Sequence, residues 1–252
     1  FPYQPAMINI RNISRLKAAG IHLAISAAIA LGSLVTMLAL WYPPPYFKVM
    51  GGNELILLIV GVDVAIGPLI TLIIFDTRKK SLPYDLMVVA LLQIAAFAYG
   101  MYAMQSGRPV FTVFTGQSLA IVSAAEIDPD ELAKGHTEEF RRLSLTGPHL
   151  VALAPPEDPQ ELSTLALVSL TGFGIQQLPR YYVPYDEKKG QMLATARPLD
   201  TYKPSNHNDE VKLHDYLAKS GRTPAELRYL PVKARHGLLL GIIDASSGEL
   251  LD

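Results

Sequence analysis

The segment from Leu55 to Phe75, LILLIVGVDVAIGPLITLIIF, is the feature that most constrains the fold. It is apolar along its whole length except for one carboxylate, Asp63. A helix rises about 1.5 Å per residue, so a helix over this segment is long enough to cross the hydrocarbon core of a bilayer. The sequence therefore predicts a transmembrane helix at about 55–75 with an acid in its middle.

Two further apolar segments flank this one. No Asp, Glu, Lys or Arg occurs from Ala18 to Phe47, and Pro43–Pro45 cannot continue a helix, which places a first membrane helix at about 18–42. The run from Leu86 to Met104 predicts a third helix at about 86–104. Residues 1–106 are thus expected to form a membrane domain, a bundle of three transmembrane helices.

Residues 107–252 have the composition of a globular domain, and we expect an α+β fold outside the cytoplasm. Apolar runs bounded by turn residues predict two hairpins, and N-capping residues predict two helices. A polar linker is expected at Pro198–Asn208. The predicted elements are a hairpin at Val110–Phe114 and Leu119–Ser123, a helix from Pro159 to about Leu170 ended by Gly172 and Gly174, a short strand or loop at Tyr181–Pro184, a helix at Glu210–Lys219, and a terminal hairpin at Leu238–Asp244 and Glu249–Leu251.

Basic residues set the predicted orientation. Arg11, Arg15 and Lys17 precede the first helix, and Arg78–Lys80 separate the second helix from the third, whereas the intervening loop carries only Lys48. Short cytoplasmic loops are enriched in Lys and Arg, so the N-terminus is expected in the cytoplasm. Three spans then leave the C-terminal domain on the other side.

Asp63 is the most informative single residue, because an acid at mid-bilayer costs at least about 2.5–3.5 kcal/mol and is expected to face other helices. His22 and Gln93 lie on the neighbouring helices and supply polar partners for it. Two functional interpretations follow, namely a proton-responsive transport or signalling element and a polar anchor for a partner's helix. An internal hydrogen bond that only packs the three helices is the structural alternative.

Small residues beside Asp63 predict close helix contact. Pro68 lacks the N–H that would bond the carbonyl of Val64, and Gly67 leaves space next to it. Gly61 and Ala65 add a small-xxx-small step. These residues are expected to form a groove that packs either within this chain or against another protein's helix.

Several classes of function lack support in the sequence. A net charge of −1 argues against a nucleic-acid partner, and the absence of Cys excludes thiol catalysis and thiolate metal sites. The histidines show no metal-ligand spacing, and no catalytic or nucleotide-binding motif occurs, so we expect neither an enzyme nor a cofactor or metal. The segment that contains Arg180, Tyr181, Tyr182 and Tyr185 is expected to be either a contact surface or a core strand.

Longer strings resemble a known family. They are RLKAAGIHLAIS (15–26), WYPPPYF (41–47), GVDVAIGPLITLIIFDTRKKSLPYDL (61–86), LLQIAAFAYGMY (91–102), LTGPHLVA (145–152), LPRYYVPY (178–185) and YLPVKAR (229–235). Together they resemble the type IV pilin accessory proteins of the TfpX/TfpZ kind, also called FimB-like fimbrial assembly proteins. The likeness covers nearly the whole chain from Met7.

The resemblance implies a multi-pass protein of the bacterial inner membrane with a periplasmic domain. It further implies that the protein assists the assembly of type IV pili by acting on the major pilin. Together with the small-residue groove and the lack of enzyme motifs, this leads to the hypothesis of a non-enzymatic chaperone or adaptor that binds the helix and head of the pilin. Other pilus assembly proteins and membrane lipid are further candidate partners. The family motif includes Asp63, Gly67, Pro68, Asp76, Lys80 and Asp85, for which the resemblance supplies no catalytic role.

Overall fold

The computed structural model describes residues 13–170 and 173–251, apart from the side chains of Leu58 and Ile59. Arg11, used above to predict the orientation, and Gly172, used to predict a helix end, lie outside the described residues. The chain divides into two compact units. The helical unit comprises the residues up to Ala39 together with Gly52–Gln105, and the sheet unit comprises Leu40–Gly51 together with the residues from Ser106 onward.

Three long apolar helices form the helical unit, as the hydropathy pattern predicts. Each is long and apolar enough to cross a membrane, over Arg15–Trp41, Gly52–Ile74 and Leu82–Gly107. The first consists of α1 (Arg15–Thr36) and a terminal π-helical turn (Met37–Trp41). The second is α3 (Gly52–Ile59), a π-helical segment (Val60–Ile66) and α4 (Gly67–Ile74), and the third is α5 (Leu82–Gly107).

The first two spans run in opposite directions, and an ion cluster joins their ends. The guanidinium of Arg15, at the start of α1, lies 3.1 Å from the Asp76 carboxylate just beyond α4. Hydrogen bonds from the Arg78 side chain and backbone, followed by the Arg15 bond, hold the pKa of Asp76 well below its usual range. The basic residues before the first span and those after the second therefore lie at the same end of the helical unit.

The connection between the first two spans belongs to the sheet unit. It contains a short helix, α2 (Tyr46–Val49), and the side chains of Tyr42, Val49 and Met50 are buried. The Val49 carbonyl accepts a hydrogen bond from the His236 N–H at 2.9 Å. The sequence prediction places Leu40–Gly51 in the membrane domain, whereas in the structure these residues are grouped with the residues from Ser106 onward.

A mixed eight-stranded sheet forms the centre of the sheet unit, in the order β4-β3-β1-β2-β6-β7-β8, with β5 pairing to β6. The β1/β3 and β2/β6 pairs are parallel, and the remaining pairs are antiparallel. The strands are β1 (Pro109–Phe114), β2 (Leu119–Ser123), β3 (His149–Leu153), β4 (Tyr182–Pro184), β5 (Arg197–Pro198), β6 (Leu227–Ala234), β7 (Gly237–Asp244) and β8 (Leu250–Leu251).

Besides α2, the described residues of the sheet unit form the helices α6 (Pro129–Leu132), α7 (Pro159–Ser169), α8 (Lys189–Thr195) and α9 (His207–Ser220). Local capping explains where the two longer ones begin. The Asp158 carboxylate accepts from the Gln160 N–H at the start of α7, and the Asn206 side chain accepts from the Asp209 N–H at the start of α9. Both predicted hairpins and both predicted helices are present in the structure.

Three strands were missed by the sequence prediction, and one of them, β5, has only two residues. β3 is only five residues long, and β6 contains Pro231 in its middle, which is typical of an edge rather than of an interior strand. β6 nevertheless lies inside the sheet, because β7 pairs along its whole length on one side while β2 and β5 pair with it at only two positions each on the other.

Candidate functional site

The π-helical segment Val60–Ile66 determines where Asp63 points. A π-helical turn interrupts the regular α pattern and is frequent at functional sites. The Asp63 carboxylate lies among the three helices, and only 7% of this residue is exposed. One carboxylate oxygen, Oδ1, is buried and has no hydrogen-bond partner among the described residues.

Pro68 and Gln93 together explain why the backbone is stable at this point. Pro68 has no N–H, so the carbonyl of Asp63, which lies five residues before it in the π-helical pattern, loses an intrahelical donor. The Gln93 side chain on α5 supplies one, because its Nε2 donates to the Asp63 carbonyl at 3.4 Å. A side chain of the third span thus repairs the interruption in the second.

Gly67 makes this repair sterically feasible. A Cβ atom at Gly67 would lie 1.9 Å from Gln93 Nε2, far inside van der Waals contact. The space beside Asp63 that the sequence predicts is therefore filled from within the chain by the Gln93 amide. A Cβ at Gly61, in contrast, would meet no atom within 4 Å.

A second polar contact joins α1 to α4. His22 Nδ1 lies 2.6 Å from the Thr71 hydroxyl oxygen, and Thr71 is buried. On the same face of α1, Ser26, Ala30 and Ser33 are buried, as expected for the small-residue side of a closely packed helix. The first two spans are therefore held together by small residues and hydroxyl groups.

A cavity of about 200 Å³ opens between α1 and α5, and we call it the α1/α5 groove. Its polar floor consists of His22, Ser26, Asp63 and Gln93. Its apolar walls are Ile25 and Ile29 on α1 and Ala90, Ile94 and Phe97 on α5. Ile25 and Ile94 are more than half exposed, so the groove is accessible from outside the helical unit.

The predicted site residues divide between this groove and other places. The structure brings Asp63, His22 and Gln93 together on the groove floor. Gly67 and Pro68 are buried in the packing behind it, and Ala65 is exposed elsewhere on the second span. The wall residues were missed by sequence reasoning, because an isoleucine that lines a groove has the same local pattern as one on any outward helix face.

The predicted contact segment of the sheet unit lies largely in the core. Tyr181 and Tyr182 are buried, and the Tyr182 ring packs edge-on against Phe111 at a centroid distance of 5.0 Å. The Tyr181 hydroxyl donates to Glu161, and burial raises the pKa of Tyr185 to about 12. Arg180 is partly exposed, with its Nε 3.5 Å from a Glu131 carboxylate oxygen. These positions fit the core-strand interpretation of the segment.

No cluster of three His, Asp or Glu side chains able to hold a metal ion occurs in the described part of the chain. Three histidines of the sheet unit instead lie beside separate carboxylates: His149 contacts Glu139 at 3.3 Å, His207 contacts Glu210 at 3.5 Å and His214 contacts Asp215 at 4.0 Å. The α1/α5 groove is thus the place where buried polar groups of the described residues converge around an unpaired acid.

Comparison with known proteins gives matches along most of the chain. The family model described as "Fimbrial assembly protein FimB" matches residues 10–51. The fimbrial assembly protein of serogroup E1 from Dichelobacter nodosus is 32% identical over 225 residues, which cover 88% of this chain and 87% of that protein. The serogroup I protein is 31% identical over the same shares, and the protein of serogroups C1 and C2 is 40% identical over 118 residues, 46% of this chain and 90% of its own.

No solved structure matches the chain. The two long matches extend through both the helical and the sheet unit, well beyond the segment that the family model covers. Their identity and coverage show that this chain belongs to the FimB family of fimbrial assembly proteins.

Proposed function

We propose that this protein is a membrane chaperone or adaptor that binds the major type IV pilin before or during pilus assembly. In this proposal the α1/α5 groove receives the apolar helix of the pilin, and the sheet unit contacts the pilin's globular head. Family membership supports the role in assembly, and the three apolar spans support a partner that is itself embedded in a bilayer. The proposed location is the bacterial inner membrane, with the N-terminus cytoplasmic and the sheet unit periplasmic.

The observation that carries the proposal is Asp63 on the groove floor, whose buried Oδ1 has no hydrogen-bond partner among the described residues. A buried polar atom without a partner is costly and rare in folded proteins, and intramembrane acids commonly serve function. Neighbouring groups of this chain are engaged elsewhere, since Gln93 donates to a backbone carbonyl and His22 bonds Thr71. A donor from a partner helix would satisfy the acid.

The shape of the groove suits a helix as partner. Its walls are formed by residues spaced three and four apart, Ile25 and Ile29 on one helix and Ala90, Ile94 and Phe97 on the other. Such spacing follows one face of each helix, so the two walls run along the groove. A third apolar helix laid against both faces would place one side chain into the cavity, whose volume of about 200 Å³ matches a side chain rather than a whole helix.

Filling the groove tests the proposal. Ile94→Trp replaces an aliphatic side chain on the exposed wall by a large indole ring. It is expected to lower the amount of pilin that co-purifies from membranes about tenfold, an effect comparable to the loss of one good contact site. The matched control is Ile73→Trp, because Ile73 is exposed to the same degree on α4 but lines no part of the groove. Equal pilin recovery with the two variants would contradict the proposed docking site.

A second function has one observation in its favour. His22 and Asp63 line the same cavity, and a histidine beside a buried acid can exchange a proton with it. A proton-responsive transport or signalling role therefore remains the alternative. The two roles differ in what they require of residue 63, since proton exchange needs an ionisable group and a polar anchor needs only hydrogen-bonding capacity.

A further inference from the structure

A second and larger cavity lies in the sheet unit, and we call it the β2 groove. Its volume is about 720 Å³, within the range typical of ligand sites. It runs along the whole of β2, from Thr115 and Ser118 at the preceding turn to Ser123 and Glu126 beyond the strand. Five strand residues span about 17 Å, so the groove has the length of a short extended peptide.

The sheet topology explains why a groove opens here. β2 pairs with β6 only at Leu119 with Val232 and at Ala120 with Lys233. Beyond this point β6 continues with β7, where Lys233 pairs with Leu238 and Ala234 with Gly237. The remainder of β2, residues 121–123, pairs with β1 and has no strand on its other side within the described residues. The cavity opens where the two strands diverge, while Ile121, Val122 and Ser123 themselves are buried.

The charge in the β2 groove is positive. Lys233 and Arg235 are exposed residues two apart that line it, and neither forms a salt bridge within the described chain. The one acid among the lining residues, Glu126, is already engaged: its carboxylate accepts from the Ser123 N–H at 2.7 Å, the Ser123 hydroxyl at 2.6 Å and Gln177 Nε2 at 3.3 Å. Both cations therefore remain available to an anion from outside.

The remaining lining of the β2 groove is apolar. Leu153 is the last residue of β3, Pro155 follows that strand, and Ile175 begins the 3-10 turn Ile175–Gln177 that contacts β2. Apolar side chains on one side of the groove and two unpaired cations on another favour a ligand that presents both kinds of group. An extended polypeptide does so, because successive side chains point to opposite sides.

We propose that the β2 groove binds an extended acidic segment of a partner protein. The segment lies in this groove, with an acidic side chain at Lys233 and Arg235 and an apolar side chain against Pro155 and Ile175. This inference depends on the sheet unit alone and is independent of the α1/α5 groove.

Fluorescence anisotropy with the full chain in detergent tests the inference. The probe is a labelled peptide of sequence GLEVELEG, compared with GLQVQLQG, in which glutamine replaces glutamate. We expect the acidic peptide to bind at least about fivefold more tightly at low salt, the effect of one or two exposed ion pairs, and to weaken as salt is added. The double variant Lys233→Gln with Arg235→Gln is expected to bind the two peptides equally.

Two controls separate this site from general attraction of anions. Lys203→Gln with Lys219→Gln removes two exposed cations outside the groove and is expected to leave the preference unchanged. Poly-glutamate has no apolar side chains and is expected to compete weakly. The proposal would be overturned if the wild type bound the two peptides with equal affinity or if the Lys233/Arg235 variant still preferred the acidic peptide. It would also be overturned if poly-glutamate competed as strongly as the acidic peptide.

The chain contains no Cys, so a single introduced cysteine reports the location directly. Gln176→Cys places a fluorophore on the groove wall, and Lys203→Cys places the same fluorophore elsewhere on the sheet unit. The acidic peptide is expected to change the emission of the first and not of the second. An unchanged signal from the Gln176 position at saturating peptide would also contradict the proposed site.

Discussion

Replacing Gly67 by leucine is expected to destabilise the helical unit by about 1–3 kcal/mol, the usual cost of inserting a side chain into a filled core. The first added atom, Cβ, would lie 1.9 Å from Gln93 Nε2. Gln93 must then move, and the Asp63 carbonyl loses the donor that compensates for Pro68. We expect a lower melting temperature of the purified chain in detergent, measured by circular dichroism.

Two companion variants make this prediction specific. Gly61→Leu adds the same side chain within the π-helical segment, where a Cβ meets no atom within 4 Å, and is expected to melt close to the wild type. Gln93→Ala in the Gly67→Leu background removes the clash and is expected to restore part of the loss. If Gly67→Leu and Gly61→Leu melted at the same temperature, the proposed contact between Gly67 and Gln93 would be wrong.

The second prediction is that Asp63→Leu stabilises the chain while it impairs pilin binding. The free energy of membrane insertion at a helix centre is about 3 kcal/mol more favourable for leucine than for aspartate. Replacing the acid also breaks no hydrogen bond within the described chain, because its buried Oδ1 has no partner there. The melting temperature should therefore rise. Pilin recovery should fall about threefold to tenfold, the range expected for one hydrogen bond inside a membrane.

Asp63→Asn separates the polar anchor from the proton-responsive alternative. Asparagine keeps an oxygen acceptor at the same position but does not ionise. For an anchor, we expect pilin recovery and the number of pili per cell to remain within about twofold of the wild type, because one neutral hydrogen bond replaces another. Loss of piliation in Asp63→Asn with undiminished pilin binding would instead favour proton exchange with His22.

The helices and the acid were predictable from sequence because hydropathy and charge are local properties. The composition of Leu55–Phe75 predicts a transmembrane helix regardless of what the helix packs against, and an acid within such a helix is expected to face other helices. The partner of Gly67 was not predictable in the same way. Gln93 lies 26 positions further along the chain, and its contact depends on the rotation of α5 about its own axis, which no local pattern specifies.

The aromatic segment illustrates the same limit in the sheet unit. Tyr181 and Tyr182 have a polar tip and a large apolar ring, so their sequence pattern suits a contact surface as well as a core. The structure buries both, because β4 pairs with β3 and brings the Tyr182 ring onto Phe111 of β1. The β2 groove likewise arises from the divergence of β2 and β6, which are more than 100 residues apart in the chain.

Photo-cross-linking in cells that assemble pili tests the central claim most directly, namely that a pilin helix lies in the α1/α5 groove. A photoreactive amino acid is introduced at Ile25 or Ile94 on the groove walls, or at Ile73 on the outward face of α4. We predict pilin adducts from the two wall positions and few from Ile73. Adducts of equal yield at all three positions, or adducts only at Ile73, would contradict the account.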